Sequence, residues 1–365
     1  MKILPIRTKS KNYNIYIGQN IISKINKIVI NENIKFKKTL IVVDKKIPKN
    51  FLKKILSKIV CDKKIIFLFN ASEKNKNLNS ANAILELLFI NNFTRNDIVI
   101  RLGGGITGDV ACFAASIFKR GLKFINIPST LLSQVDSSIG GKTGVNNKFG
   151  KNLIGSFYQP DLVISDITLL KSLPKREIIC GYAEILKHSL IKNKKLFLFL
   201  NKNLNHIVNL KKKFIEKAII ESCKIKKIIV EKDEKENNLR KSLNLGHTFG
   251  HSYEATLNYS KKLNHGEAVL YGILSAAKLS KKIKSLNNED YKFILSHLSR
   301  LRITSLKKYF NYRDLDKIVN FMRADKKNIS KKINFIKLKK IGVVNISTQL
   351  KISEVKKFIT SELLK

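Results

Sequence analysis

The stretch that decides the fold class is DIVIRLGGGITGDVACFAAS, residues 97–116. An apolar run at 97–101 leads into three successive glycines and then a helix-like segment at 106–119. Glycines permit positive φ and close approach of the backbone, and a helix amino terminus presents unpaired N–H groups to a phosphate. Gly103, Gly105 and Gly108 are spaced as in G-x-G-x-x-G. The stretch predicts a strand, a turn and a helix that bind a nucleotide; a tight turn without a ligand is the alternative.

Strand-like and helix-like segments alternate around this stretch up to about residue 170. We expect strands at 39–43, 64–69, 97–101, 123–127 and 162–165, with helices at 80–92 and 106–119. Strands separated by helices of this length predict a parallel sheet with crossover helices. Residues 3–7 and 15–17 are expected to add an edge hairpin.

The second half of the chain has a different pattern. Long amphipathic segments predict helices at 176–191, 210–231, 243–257, 267–284 and 289–298, and a late hairpin is expected at 333–338 and 341–346. The predicted fold is therefore an α/β Rossmann-like amino-terminal domain, residues 1–175, followed by a mostly α-helical carboxy-terminal domain, residues 176–365.

Composition excludes several classes of protein. The 365 residues are 44% hydrophobic, which excludes overall disorder, and contain no apolar run long enough for a transmembrane helix. The first 18 residues have no continuous apolar core, so no secretory signal is expected. Four scattered cysteines without a Cys-x-x-Cys pair are typical of a reduced chain. We therefore expect a soluble protein of the cytoplasm.

The net charge of +44 raises the possibility of nucleic-acid binding. The lysines, however, are spread along the whole chain, and neither zinc-finger spacing nor an RNP-like aromatic motif is present. We interpret the charge as a compositional bias whose field would still favour an anionic substrate over nucleic acid.

A second glycine-rich stretch, PSTLLSQVDSSIGGKTGVNNKFGKNLIGSFYQP, covers residues 128–160. So many small and polar residues between apolar runs predict a loop that lines a ligand site. The polar positions singled out are Thr130, Asp136, Lys142, Lys151 and Asn152. Lysines there could bind phosphate or carboxylate. Asp44, at the end of an earlier strand, could bond a nucleotide ribose or cap a helix.

Histidine spacing points to a metal. His247 and His251 are four residues apart and so share one face of a helix, His265 follows 14 residues later, and Glu184 precedes His188 by one turn. Zinc commonly takes three ligands from histidine and carboxylate and keeps one position open. Spacing alone leaves open which of these residues are ligands, and core or surface histidines without a metal are the alternative.

Six motifs together resemble the 3-dehydroquinate synthase family. They are GGGITGDVACFAAS (103–116), FKRGLKFINIPSTLLSQVDSSIGGKTGVN (118–146), KNLIGSFYQP (151–160), GYAEILKH (181–188), LNLGHTFGHSYE (243–254) and HGEAV (265–269). The resemblance implies a homodimeric carbon–oxygen lyase of the shikimate pathway that depends on NAD and on Zn²⁺ or Co²⁺. Its reaction would convert 3-deoxy-D-arabino-heptulosonate 7-phosphate to 3-dehydroquinate and phosphate by transient oxidation, phosphate elimination, re-reduction and an intramolecular aldol step.

The resemblance also implies roles for individual residues. The metal ligands would be Glu184, His247 and His265. The NAD contacts would be Asp44, Glu73, Lys76, Gly105, Ile106, Thr107, Gly108, Asp109, Ser129, Thr130, Lys142 and Lys151. The catalytic group would be Lys142, Asn152, Lys187, Arg240, Asn244 and His251, and the other substrate contacts Asp136 and Lys226, with Arg120 and Lys326 reaching across a dimer or a cleft.

The chain departs from the family pattern at two places. The family usually has Asp-Gly-Glu-x-x-Lys where residues 71–76 read Ala-Ser-Glu-Lys-Asn-Lys, and Cys112 occupies a position where glycine is common. Rival readings are another sugar phosphate cyclase, a metal-dependent polyol dehydrogenase and, from another class, a basic nucleic-acid-binding module. The dehydrogenase would not require the lysines at 142, 151 and 187.

Overall fold

The computed structural model describes residues 1–324 and 332–364. The strands are β1 (Lys2–Arg7), β2 (Asn12–Gly18), β3 (Lys38–Asp44), β4 (Lys63–Phe69), β5 (Ile98–Gly103), β6 (Lys123–Pro128), β7 (Lys142–Asn147), β8 (Gly150–Phe157), β9 (Leu162–Asp166), β10 (Lys332–Lys340) and β11 (Val343–Lys351). The α-helices are α1 (Ile25–Asn31), α2 (Lys49–Leu56), α3 (Leu78–Ile90), α4 (Gly105–Ile117), α5 (Lys175–Lys192), α6 (Lys194–Val208), α7 (Lys212–Lys232), α8 (His247–Thr256), α9 (His265–Lys282), α10 (Asn288–Arg300), α11 (Leu315–Ala324) and α12 (Ile352–Leu364).

Contacts divide the chain into two compact units. Unit 1 comprises Met1–Ile178 and Leu210–Lys235, and unit 2 comprises Ile179–Asn209 and Glu236–Lys365. Unit 1 therefore contains α7, which follows α6 of unit 2 along the chain. The functional division at residue 175 stays a prediction.

Unit 1 is built on a seven-stranded sheet in the order β1-β2-β9-β6-β5-β3-β4. All neighbours pair in parallel except β1 and β2, which form the expected antiparallel edge hairpin. Successive residues of a strand point to opposite faces. Leu40 and Val42 accordingly pack with residues of α3 and α4, whereas Ile41 and Val43 pack with residues of α1 and α2. The predicted α/β fold with helices on a parallel sheet is confirmed.

The glycine-rich stretch at 128–160 is not the continuous loop that its composition predicts. β7 and β8 pair antiparallel within it, from Lys142↔Phe157 to Asn147↔Gly150. Two glycines permit this pairing, because a Cβ atom on Gly144 would lie 2.5 Å from the Ile154 oxygen and one on Gly155 would lie 2.2 Å from the Thr143 oxygen. Close approach of two backbones explains the glycines here.

Unit 2 is mainly helical, with the β10–β11 hairpin where the late strands were expected. The expected helix at 243–257 begins later than predicted. A 3₁₀ turn covers Leu239–Asn244, Gly246 has a left-handed backbone with φ of 79°, and α8 starts only at His247. A Cβ on Gly246 would also meet the Ile273 nitrogen of α9 at 2.8 Å, so glycine is required for both reasons.

No helix among the described residues is both long and apolar enough to cross a membrane.

Candidate active site

The glycine turn joins β5 to α4. Gly103 ends the strand, Gly104 is the helix N-cap, and no side chain caps α4. None of the glycines of this turn has positive φ. Their lack of a side chain is required for packing: a Cβ on Gly103 would lie 2.7 Å from the Thr107 side chain, and one on Gly108 would lie 3.0 Å from Arg101 Cζ. The free N–H groups of the first turn of α4 are thus left open to an anion.

The side chain of Arg101 forms hydrogen bonds to the backbone of the glycine turn, a role that the sequence analysis missed. Its guanidinium is fully buried and donates to the Gly103 oxygen at 2.6 Å, the Gly104 oxygen at 3.1 Å and Asn126 Oδ1 at 2.8 Å. Burial lowers the pKa of Arg101. Arg101 and Asn126 are register partners on β5 and β6, so the strand alternation could have revealed the pair only once those strands were known to be neighbours.

The segment at 71–76 forms a turn without the Asp-Gly pair of the family. The Asn75 N–H donates to the Ser72 hydroxyl at 3.2 Å, so the Ser72 side chain stabilises the turn in place of the Asp-Gly pair. Lys76 is buried and pairs with Asp109 of α4, whose pKa is raised because burial outweighs the attraction of Lys76. Glu73 lies 3.5 Å from Lys151 Nζ, and its carboxylate accepts from Asn146 Nδ2 at 2.9 Å.

Three other predicted nucleotide contacts lie at strand ends of the same sheet. Asp44 accepts from the Lys46 N–H at 3.0 Å, so part of its carboxylate serves the local turn; burial raises its pKa. The Ser129 N–H donates to the Gly103 oxygen at 3.0 Å, and Thr130 Oγ1 bonds Ser133 Oγ at 2.9 Å. Ser129 and Thr130 are therefore adjacent to the glycine turn.

The substrate residues predicted in unit 1 lie at three places. Lys226 of α7 donates to Asp136 Oδ1 at 2.5 Å and to the Asp136 oxygen at 2.6 Å, so these two are brought together. Lys142 and Asn152 are on the β7–β8 hairpin, and Asn152 has φ of 55°. Arg120 is exposed beyond the far end of α4, about 18 Å along the helix from the glycine turn. Within this chain Arg120 is therefore not brought to the turn.

Three predicted metal ligands converge in unit 2. Glu184 Oε1 lies 3.7 Å from His247 Nε2 and 3.9 Å from His265 Nε2. Four tetrahedral bonds of about 2.0 Å would place donor atoms about 3.3 Å apart, so a small contraction around an ion suffices. Glu184 is fully buried on α5, His247 is the first residue of α8 and His265 is the first residue of α9.

Close helix packing brings these residues together. A Cβ on Gly272 of α9 would lie 2.0 Å from the Gly246 oxygen, and one on Gly250 of α8 would lie 2.9 Å from the Ala268 oxygen. A Cβ on Gly266 would overlap Cys180 of α5. Glycines at these contacts allow the three helices to approach closely, which sequence spacing could not reveal.

The remaining predicted residues of unit 2 lie around this cluster or outside the described chain. Lys187 is buried and pairs with Glu184, and His251 is exposed with its ring centroid 5.1 Å from that of His247. Arg240 is buried in the 3₁₀ turn, and Asn244 Nδ2 donates to Glu236 Oε1 at 2.6 Å. Lys326 lies outside the described residues.

Comparison with known proteins identifies the family. Residues 66–180 match the N-terminal domain of 3-dehydroquinate synthase, and residues 181–328 match its C-terminal domain. The 3-dehydroquinate synthase of Pelagibacter ubique is 55% identical over 99% of each chain. The chain belongs to the 3-dehydroquinate synthase family.

Solved structures with the same fold include two other cyclases. The 2-deoxy-scyllo-inosose synthase complexed with carbaglucose-6-phosphate, NAD⁺ and Co²⁺ has a TM-score of 0.88 and 24% identity, covering 99% of this chain and 100% of that one. The 2-epi-5-epi-valiolone synthase of Streptomyces hygroscopicus, with NAD⁺ and Zn²⁺ bound, has a TM-score of 0.85 and 21% identity over 97% of this chain and 98% of that one. These likenesses show that the fold of the 3-dehydroquinate synthase family is shared with them.

In this member of the 3-dehydroquinate synthase family, the donor set fits a divalent cation. The buried Glu184 carboxylate is ion-paired with Lys187 through Oε2, but its Oε1, which faces both histidines, accepts no hydrogen bond among the described residues. A buried carboxylate oxygen without a hydrogen bond is costly, and a metal cation would relieve that cost. Burial, helped by repulsion from Lys187 and the neighbouring histidines, holds the pKa of His247 well below its usual value, so its imidazole is neutral and available as a ligand.

Glu254 is a further residue that sequence reasoning missed. Its Oε2 lies 3.0 Å from His265 Nδ1. Burial works to lower the pKa of His265, but the charge and hydrogen bond of Glu254 outweigh it and the pKa is raised. The spacing of 247, 251 and 254 on one helical face was the available signal.

Proposed function

We propose that this chain is a 3-dehydroquinate synthase, converting 3-deoxy-D-arabino-heptulosonate 7-phosphate to 3-dehydroquinate and phosphate. The observation that carries the proposal is 55% identity over 99% of both chains with a protein of that name. The convergence of Glu184, His247 and His265 supports it, because the reaction acts on hydroxyls and carbonyls that a cation polarises.

The proposed cofactors are NAD and Zn²⁺ or Co²⁺. Related cyclases are described with NAD⁺ together with Co²⁺ or Zn²⁺. When bound, NAD supplies a reversible hydride acceptor and the cation supplies Lewis-acid polarisation of oxygen. Glu184, His247 and His265 would hold the cation. The open amino terminus of α4, with Ser129, Thr130 and the Lys76–Asp109 pair, would hold NAD.

The chain's own residues would bind and orient the anionic substrate. Lys226, held by Asp136, and the buried Arg240 offer fixed positive charge. Lys187 lies beside the metal ligand Glu184, where it could donate hydrogen bonds to substrate oxygens. Lys142, Asn152, Asn244 and His251 complete the proposed polar set. Residues with fixed positions bind transition-state charge better than mobile ones, which gives the buried members the larger expected effect.

The proposal extends to the enzyme class, the cellular compartment and the oligomeric state of the protein. The enzyme would be a carbon–oxygen lyase of aromatic amino acid biosynthesis, working in the cytoplasm as a homodimer. Residues 1–175 would serve NAD and residues 176–365 the metal. Arg120, exposed at the end of α4, is suited to contribute from a second subunit.

The experiment is phosphate release from the heptulosonate phosphate by purified protein, with NAD and Zn²⁺ each supplied or withheld. We expect release that needs both, with 3-dehydroquinate as the product and no net NADH. His265→Ala should lose at least 100-fold in kcat, whereas the control His206→Ala, on an exposed histidine of α6, should match the wild type.

Two outcomes would replace the proposal. A different carbocyclic product would make the chain another sugar phosphate cyclase. Accumulating NADH on simple polyols, with no phosphate release, would make it a metal-dependent polyol dehydrogenase.

A further inference from the structure

The His265 imidazole is contacted on both of its nitrogen atoms. Nε2 lies 3.9 Å from Glu184 Oε1, and Nδ1 lies 3.0 Å from Glu254 Oε2. The Glu254 side chain is 9% exposed, whereas that of His265 is 35% exposed. The Glu254 carboxylate, which is the more buried of the two, therefore fixes the orientation of the His265 ring.

The contact determines which nitrogen carries the proton. An ionised carboxylate can only accept hydrogen bonds, so at 3.0 Å the Nδ1 atom must be the donor. In the neutral ring the lone pair is then on Nε2, which is the nitrogen that faces Glu184 and His247. We propose that Glu254 is a positioning residue for the metal site, holding His265 in the tautomer and orientation that present Nε2 to the cation. This inference rests on the metal site of the proposed function.

A second donor set contains the same two residues. His251, Glu254 and His265 also place one possible ligand atom each within 4.8 Å of one another. The first set is favoured because Glu184 is fully buried and its Oε1, which faces both histidines, accepts no hydrogen bond among the described residues, whereas Glu254 Oε2 is already engaged by Nδ1. Glu254 is thus assigned to the ring rather than to the ion.

Metal affinity tests the assignment without relying on turnover. Zn²⁺ dissociation constants are measured by competition with a chromophoric chelator for the wild type, Glu254→Gln, Glu254→Ala and Glu184→Gln. The control Glu267→Gln removes one charge from the same helix as His265, and glutamine is also suited to the capping box with Asn264. Co²⁺ absorption spectra of each variant report ligand geometry.

We expect Zn²⁺ binding by Glu254→Ala to weaken about 10- to 100-fold. Glu254→Gln should lose less, because its amide oxygen still accepts from Nδ1, and Glu267→Gln should match the wild type. The Co²⁺ spectrum of Glu254→Gln should shift while keeping the intensity of the wild-type site. Glu184→Gln should lose more than any Glu254 variant.

Wild-type affinity in both Glu254 variants would overturn the positioning role. Greater loss in the Glu254 variants than in Glu184→Gln would make Glu254 a direct ligand and also overturn it. A wild type that binds no Zn²⁺ would instead refute the metal site of the proposed function. Circular dichroism of the metal-free proteins checks folding, and Glu254→Gln carries the test if Glu254→Ala does not fold.

Discussion

Gly266 lies so close to Cys180 that a Cβ atom at residue 266 would be 2.2 Å from the Cys180 Cα and 2.6 Å from its oxygen. The Gly266 N–H also donates to Cys180 Sγ at 3.2 Å. Gly266 follows His265, and Cys180 precedes Glu184 by one helical turn. This contact therefore sets the separation of α5 and α9 at the point where both present metal-donor atoms.

Gly266→Ala should weaken both stability and metal binding. The new methyl group overlaps backbone atoms that cannot rotate away, so we expect a loss of about 3 kcal/mol in the free energy of unfolding and at least a tenfold weaker Zn²⁺ affinity. Urea unfolding and chelator competition measure the two effects. The control is Gly105→Ala, whose Cβ would meet the Ser137 side chain, with the hydroxyl oxygen nearest at 3.3 Å, and which should leave Zn²⁺ affinity unchanged. Wild-type Zn²⁺ affinity in Gly266→Ala would contradict this role of the contact.

Lys187→Met should make the metal-free protein less stable and more responsive to metal. Both side chains of the Lys187–Glu184 pair are at most 2% exposed, so removing the lysine leaves a buried carboxylate without its cation at a cost of about 3 kcal/mol. Zn²⁺ can replace the lost charge, so the metal-induced rise in Tm should be larger than in the wild type. Thermal melts with and without Zn²⁺ measure this, with the exposed Lys192→Met as control. Equal rises in both variants would count against a metal on Glu184.

Arg101→Met should impair the glycine turn. The substitution leaves Asn126 and the Gly103 and Gly104 oxygens without their buried donor, which should cost about 3 kcal/mol of stability and weaken NAD binding about tenfold. Calorimetric titration with NAD measures the affinity. Arg101→Lys should recover part of it, since an ammonium can still donate to one oxygen. Arg95→Met removes an exposed arginine and serves as the charge control; NAD affinity that is equal in all four proteins would refute the role.

His297 should make stability depend on pH. Burial and the charge of Arg300 lower the pKa of His297 to about 4, while Tyr182 and Asn201 hold its two nitrogens at 2.9 Å each. Between pH 6.5 and 4 the unfolded chain binds a proton that the folded chain refuses, so stability is complete above pH 6.5 and falls as the pH drops. We expect a contribution of about 2 kcal/mol lost between pH 7 and pH 5. Urea unfolding at both values should show this loss reduced in His297→Gln and unchanged in His206→Gln.

The sequence was sufficient to predict that strands and helices alternate along the first half of the chain and form a parallel sheet. The apolar strands β4, β5 and β6 are separated by α3 and α4, a pattern that predicts a parallel sheet with crossover helices. α1 and α2 were missed because each is one or two turns long and rich in lysine or asparagine. β7 and β8 were missed because their stretch is rich in glycine, a composition that is typical of loops. Here Gly144 and Gly155 instead allow the backbones of two paired strands to approach closely.

The candidate site was predictable where spacing within one helix was enough. His247 and His251 follow from a four-residue interval, and His265 and Glu184 were further candidates in the sequence. The resemblance then selected Glu184, His247 and His265 as the ligands. Arg101 depends on a neighbour from another strand, so no local pattern could assign it. The spacing of Glu254 from His247 and His251 places it on their helical face, but its partner His265 is on another helix. An arginine in a strand ordinarily indicates a solvent-facing position, and only its pairing with Asn126 explains its burial.

The return of α7 to unit 1 constrains how the chain can be made. Its Lys226 reaches Asp136, its Glu231 accepts from the Arg7 N–H at 2.6 Å, and the adjoining Glu234 accepts from Gln159 at 2.7 Å. A ribosome must therefore synthesise the whole of α5 and α6 before the amino-terminal sheet can acquire its last helix. During translation the surface of the sheet that packs against α7 stays uncovered while α5 and α6 are made, and a gene split at residue 175 would place all seven strands on one fragment and α7 on the other.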